Sequence, residues 1–226
     1  MNVVTVEGLD RIYGSGRTRV EALMEVSFCL APGELSVLVG ASGSGKTTLL
    51  NMIAGFDHPT GGTVRVLDQE IGVMGETALA LFRRQHLGFV FQALNLIPTL
   101  SAAENVELPL TLLGIPRSER RVRVGELLEC AGLCDRAAAM PGELSGGEQQ
   151  RIAALRAVAA RPKLLLMDEP TSCLDSSNTA DLVGLLLDLN QGEKICMLLT
   201  THDQRVTRAV PRSIRLVDGR IADGQD

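Results

Sequence analysis

The chain has 226 residues, of which 45% are hydrophobic and 22% charged, and a formal net charge of −5. That balance excludes a disordered chain and leaves room for one sizeable core, best accommodated by a single domain with an insertion. The mild acidity argues against a phosphate-neutralising nucleic-acid surface, and no run approaches the roughly 20 apolar residues that span a bilayer.

The first 14 residues lack the charged-then-apolar layout of a secretory leader, so the expected location is the cytoplasm. Cys29, Cys130, Cys134, Cys173 and Cys196 are odd in number and lie mostly in apolar stretches, away from zinc-site spacings. They read as reduced, buried packing residues, with no metal assigned to Cys130 and Cys134.

Apolar residues alternate at Val4 and Val6 and again at Val26, Phe28 and Leu30, separated by the glycine-rich residues 14–16. This predicts half-buried antiparallel strands forming an edge sheet. Residues 35–39 form a continuous apolar run closed by a glycine loop, and residues 47–54 read as a helix. The loop, Gly40-Ala41-Ser42-Gly43-Ser44-Gly45-Lys46-Thr47, fits the phosphate-binding pattern. Its glycines let backbone N–H groups wrap an anion, and the next helix offers its positive end. Lys46 would then reach the β- and γ-phosphates while the Thr47 hydroxyl ligates Mg²⁺. A merely flexible glycine loop fits the pattern alone; its setting between a buried strand and a helix favours the phosphate site.

A further strand is predicted over residues 87–91. The strand signal then vanishes from residue 92 to 144, where Ser101-Ala-Ala-Glu104 has the form of a helix-closing capping box. A second insertion helix follows Pro116 and Ser118, with Val122, Leu127, Leu128 and Ala131 on its apolar side. In Leu144-Ser145-Gly146-Gly147-Glu148-Gln-Gln-Arg151, Ser145 and the two glycine backbones stand at the start of a helix expected from Glu148, which makes a second anion site. From this stretch alone a plain Ser-Gly-Gly cap remains the other reading.

Residues 164–167 and 195–199 are dense apolar runs with the flanks of buried parallel strands, so the core is α/β. Directly after the first run, Asp168 and Glu169 emerge at the sheet's carboxyl edge beside the glycine loop. Asp168 would hold Mg²⁺ and Glu169 would act as general base on the attacking water; a helix-start acidic pair is the bland alternative. Residues 214–223 close the chain as a hairpin through Asp218-Gly219.

The string at 144–151, together with the phosphate loop and the Asp-Glu pair, resembles the signature of ATP-binding cassette proteins, and the resemblance runs from Val3 to Ile221. It implies a P-loop, RecA-like α/β core with an antiparallel β subdomain and an inserted α-helical subdomain. One domain would cover residues 1–226, with 1–91 and 145–226 as the nucleotide-binding core and 92–144 as the helical insertion that ends at the signature. The same resemblance implies that Tyr13 stacks on adenine, that the loop through Thr48 holds the phosphates, and that Gln92 senses Mg²⁺ and the lytic water. It further implies that Asp175 crosses a dimer interface and that His202 contacts the γ-phosphate. Taken singly, Tyr13, Gln92, Asp175 and His202 would be packing or solvated residues. Ser145, Gly146 and Gly147 would face ATP bound to a second copy or a homologous cassette in a head-to-tail nucleotide sandwich.

Stretches such as Glu21-Ala-Leu, Asn51-Met-Ile-Ala-Gly, Phe82-Arg-Arg, Asn95-Leu-Ile-Pro and Glu104-Asn-Val-Glu-Leu-Pro109 are similar to the branch of bacterial lipoprotein-releasing and macrolide-exporting ATPases. This implies an ATPase subunit that drives export or membrane extraction through a separate transmembrane permease. It would be peripheral on the inner face of the membrane and bind no nucleic acid. A cell-division regulator that uses the same dimer cycle without moving a solute is the alternative. Two departures stand out: Cys173 replaces a usually small residue beside the Asp175 loop, where it would make the interface thiol-sensitive, and Val210-Pro-Arg replaces a more usual Ala-Asp-Arg.

Overall fold

Two sheets organise the chain in a computed structural model that describes residues 1–172 and 174–222. The first 90 residues contribute β1 (Val4–Tyr13), β2 (Val20–Leu30), β3 (Leu35–Val39), α1 (Lys46–Ala54), β4 (Gly61–Val66), β5 (Gln69–Glu70), α2 (Glu76–His86) and β6 (Leu87–Val90). Three helices follow, α3 (Ala102–Leu112), α4 (Arg117–Cys130) and α5 (Gly146–Val158). The remainder alternates through β7 (Leu164–Met167), α6 (Ser176–Glu193), β8 (Cys196–Thr201), α7 (Gln204–Ala209), β9 (Arg212–Val217) and β10 (Arg220–Ile221).

β1 and β2 pair antiparallel, with Val6 opposite Phe28, but they are not an edge of the main sheet. They form a separate four-stranded sheet in the order β2-β1-β4-β5, with β1 inside it. β4 escapes a pattern reading because it opens on two glycines and carries only Val64 and Val66 as buried residues. The larger sheet runs β10-β9-β3-β8-β7-β6; all its pairings are parallel except the closing hairpin of β9 and β10.

Both faces of this sheet are buried at β3, β7 and β8, which is why β7 and β8 read as dense apolar runs and β3 nearly so. Leu165, Met167, Met197 and Leu199 point into a core shared with α3, α4, α5 and α6. Their neighbours Leu164, Leu166, Cys196 and Leu198 point into the opposite core, with α1, α2 and the antiparallel sheet.

The segment leading from β6 to α3 is fixed by polar contacts. Asn105 is fully buried; its side chain accepts from Ile97 N and donates to the carbonyls of Ile97, Leu100 and Ser101. Arg156 on α5 donates to the carbonyls of Leu94 and Asn95. Ser101 and Glu104 make the expected capping box. On α4 the buried residues are Val124, Leu127 and Leu128, whereas Val122 is exposed.

The cysteine expectation fails for three of the four described residues. Cys29, Cys130 and Cys134 are exposed and Cys196 alone is buried; Cys173 lies outside the described residues. Burial, aided by the charge of Glu34, pushes the Cys196 thiol up to about 12. Apolar flanks misled here because Cys130 ends its helix and Cys134 lies in a short 3-10 turn beyond it.

α5 crosses β6 so closely that a Cβ on Gly88 would meet the carbonyl oxygen of Ala157. Gly88→Ala should therefore force the two apart and destabilise the chain by about 1–3 kcal/mol. A lowered urea midpoint at unchanged slope is expected, and an unchanged midpoint would show that α5 can give way.

Candidate active site

In the parallel sheet β3, β6, β7 and β8 all end at one edge, the edge where ligands bind in open α/β sheets. The residues that follow those strands are Gly40, Gln92, Asp168 with Glu169, and His202. Four segments distant in sequence are thereby brought together by strand pairing.

The glycine loop is shaped by positions where a side chain has no room or the backbone is left-handed. A Cβ on Gly40 would meet the carbonyl oxygen of Leu216 and the Ser44 hydroxyl. Gly45, with φ of 104°, caps α1, and its own Cβ would meet the carbonyl of Ala22. Lys46 is 5% exposed, and its ammonium donates to the carbonyls of Gly40 and Ala41 at 2.9 and 3.0 Å. The same Nζ lies 3.5 Å from Glu169 Oε1. The other carboxylate oxygen of Glu169 lies 3.2 Å from Nδ1 of His202.

Asp168 is 7% exposed and held at both oxygens. Thr47 Oγ1 donates to its Oδ2 at 2.9 Å, and Thr200 Oγ1 donates to its Oδ1 at 2.7 Å. Thr200 in turn accepts from the backbone N–H of Glu169 at 2.8 Å. Glu169 has φ of 46°, in the left-handed region that non-glycine residues seldom adopt.

A cavity of about 300 Å³ opens on this cluster, lined by Ser42, Gly43, Gly45, Lys46, Thr47, Thr48, Gln92 and Glu169. Its remaining wall, Val20, Glu21 and Ala22, comes from β2 and was legible only as part of a family-like stretch. A second cavity of about 620 Å³ lies across the loop. Gly40, Ala41, Ser44 and His202 line it, and Ser42 and Gly43 border both spaces. The Ser44 hydroxyl is buried without a hydrogen-bond partner among the described residues.

Tyr13 lines neither cavity. Its hydroxyl donates to Asp57 at 2.7 Å, and Arg11 lies 4.3 Å above the ring centroid while pairing with the same Asp57. No sequence pattern marks Arg11 and Asp57, which are 46 residues apart and meet only because β1 and the end of α1 adjoin.

Ser145, Gly146 and Gly147 are also absent from the first cavity. They open α5, where Ser145 and Glu148 form a capping box. The helix therefore begins two residues earlier than its expected start at Glu148. Gly147 abuts the side chain of Asn178, and Asn178 donates to both oxygens of Asp175, which caps α6. Hydrogen bonds from the Asn178 backbone and the Ser177 hydroxyl hold the exposed Asp175 carboxyl below its ordinary range.

Residues 23–172 match the family described as ABC transporter. The chain is 42% identical over 220 residues to the lipoprotein-releasing system ATP-binding protein LolD of Geobacter metallireducens, covering 97% of this chain and 98% of that protein. It is 42% identical over 219 residues to the macrolide export ATP-binding/permease protein MacB 1 of Yersinia pestis, of whose length it spans 34%. Among solved structures, the ATP-binding cassette MJ0796, dimeric in a post-hydrolysis state with ADP and phosphate, superposes at a TM-score of 0.88. It is 38% identical, with 99% of this chain and 98% of that one covered.

The capping box on α5 yields a pH-dependent expectation. The backbone N–H of Ser145, then its hydroxyl, and more weakly Arg136, hold the Glu148 carboxyl below its usual range. A depressed folded value means that the stabilisation is complete above the unfolded value of about 4.3 and is lost as pH falls through the folded value. Glu148→Ala should lower the denaturation midpoint at neutral pH, and its gap from wild type should narrow as pH falls below about 4.3. A gap of equal size in acid would contradict the assignment.

Proposed function

The chain belongs to the ABC transporter family, and from that premise we propose that it is the ATP-binding and ATP-hydrolysing subunit of a transporter. It would drive export or membrane extraction of a substrate through a separate membrane-spanning permease. One observation carries the reading: Lys46 and Glu169 share a cavity with the glycine loop, while the second phosphate-facing motif of the same chain, at 145–147, lies elsewhere. A chain with two half-sites that cannot meet each other calls for a second copy. The dimeric ADP- and phosphate-bound relative supports that arrangement.

ATP would enter with its phosphates against the backbone N–H groups of the loop and the start of α1, while adenine takes the face of Tyr13 opposite Arg11. The Lys46 ammonium, now on Gly40, Ala41 and Glu169, would turn to the β- and γ-phosphates. That exchange frees the Glu169 carboxylate to accept a proton from the attacking water as its oxygen bonds to the γ-phosphorus and the bond to the β-γ bridging oxygen breaks. Lys46 and His202 stabilise charge on the transferring group.

The donor set also fits Mg²⁺. Thr47 Oγ1 and Asp168 Oδ2 are hard oxygens side by side at the phosphate end of α1. Among the described residues no group of three or more His, Cys, Asp or Glu could hold a metal by itself. Such a pair suits an ion that keeps phosphate and water oxygens for its other positions. Bound there, with Gln92 nearby, Mg²⁺ would neutralise charge on the β- and γ-phosphate oxygens.

Among the described residues no helix is long and apolar enough to cross a membrane, so the permease would hold the chain peripherally at the inner face. Gln92 lines the cavity, and the segment after it is tied to α5 by Arg156 and to α3 by Asn105. Residues 95–108 are therefore the part we assign to meet the permease. Loss of the γ-phosphate would reach it through Gln92.

Lys46→Ala should abolish nucleotide binding in an equilibrium titration, and retained binding would refute the loop assignment. Glu169→Gln should accumulate an ATP-bound dimer by light scattering; finding only monomer would count against the sandwich. Used as bait on solubilised membranes, that closed dimer should recover a multi-span membrane protein. Recovery of ribosomes or soluble partners alone would overturn the transport role and leave the ATPase standing.

A further inference from the structure

Thr200 belongs to none of the motifs, yet it touches both carboxylate-bearing residues of the site. It is the penultimate residue of β8, a strand buried along its whole length, and is itself fully buried. β7 and β8 are in register through Met167 and Leu199, so Thr200 stands level with Asp168, the first residue past the end of β7.

Its hydroxyl bonds to both groups at once. The O–H is given to Asp168 Oδ1 at 2.7 Å, and a lone pair receives the Glu169 N–H at 2.8 Å. Asp168 is thus clamped between a strand and a helix, with Thr200 on Oδ1 and Thr47 on Oδ2. Only the Thr47 side faces the phosphate cavity, because Thr47 lines that cavity and Thr200 does not. The Glu169 N–H belongs to a residue at φ of 46°, a conformation that surrounding contacts must hold in place.

We propose that Thr200 is a positioning residue for ATP hydrolysis, its single hydroxyl fixing the Asp168 carboxylate for the metal–phosphate side and the Glu169 backbone for the water side. The inference rests on the roles assigned above to Asp168 and Glu169. Strand pairing already joins β8 to β7 through the backbone, so the hydroxyl adds nothing that the sheet requires. Its work lies in the two residues beyond the strand. A valine at this position would keep the β-branched shape that suits a strand while leaving Asp168 Oδ1 and the Glu169 N–H without their partner.

The test compares Thr200→Val with wild type in steady-state hydrolysis and in equilibrium nucleotide binding, measured with excess Mg²⁺ and again in EDTA. Losing one hydrogen bond to a charged group predicts a fall in kcat of about tenfold to a hundredfold. Half-saturation by Mg²⁺ should rise about tenfold, as expected when a group that orients a metal ligand is removed. Binding in EDTA and the KM for ATP should stay within about threefold, since the glycine loop is untouched.

Thr200→Ser and Thr200→Ala separate chemistry from packing, because both drop the methyl group and only serine keeps the hydroxyl. Serine should retain kcat and alanine lose it; equal loss in the two would overturn the proposal, as would a Thr200→Val protein with unchanged kcat and Mg²⁺ dependence. Glu169→Gln serves as the reference. If it hydrolyses ATP normally, the carboxylate roles fail and this inference with them. If it is inactive while Thr200→Val turns over at the wild-type rate, the role of Thr200 alone falls.

Discussion

In a parallel sheet every strand finishes at the same edge, and this constraint governs the rest of the molecule. β3, β8, β7 and β6 could not pair in parallel without delivering the residues after each of them to one line. The glycine loop, Gln92, the acidic pair and His202 are the contents of that line. Burial of the sheet on both faces then fixes the register, since a slip of one residue would exchange the two cores. The site is precise because the cores beneath it are full.

Legibility in the sequence follows from how local each feature is. The glycine loop and its helix, the capping box at Ser101, and the runs that became β7 and β8 are settled within a few residues, and the structure has them close to the expected bounds. The antiparallel sheet was only half legible, because β4 and β5 are short or glycine-led and gain their identity from pairing, β4 with β1 and β5 with β4. Exposure of the cysteines could not be read from apolar neighbours, since a helix end and a 3-10 turn decide it.

The candidate site divides along the same boundary. His202 is marked only by the family resemblance, whereas charged residues that follow apolar runs beside a glycine loop, such as Asp168 and Glu169, announce themselves. Thr200 does not, because a threonine in a buried strand looks like any β-branched filler until the partner of its hydroxyl is known. The Arg11, Tyr13 and Asp57 cluster is invisible for a different reason: its members lie on β1 and just past α1 and meet only in three dimensions. Cys173 and its suspected thiol sensitivity fall outside the described residues.

The contacts of Glu169 bring the site's ionisable groups together. Lys46 Nζ and His202 Nδ1 lie against opposite oxygens of Glu169, so the carboxylate assigned as base has a nitrogen neighbour on each side. The second motif carries its own constraint. Gly147 leaves no room for a side chain because Asn178 fills the space, and Asn178 is in turn bonded to Asp175. A larger residue at 147 would be tolerated only with something smaller than asparagine at 178, and that change would take the side-chain amide off both oxygens of Asp175. Among descendants of this sequence, positions 147, 175 and 178 are therefore expected to drift as a set, so that the history of the cap on α5 and the history of the cap on α6 are one record.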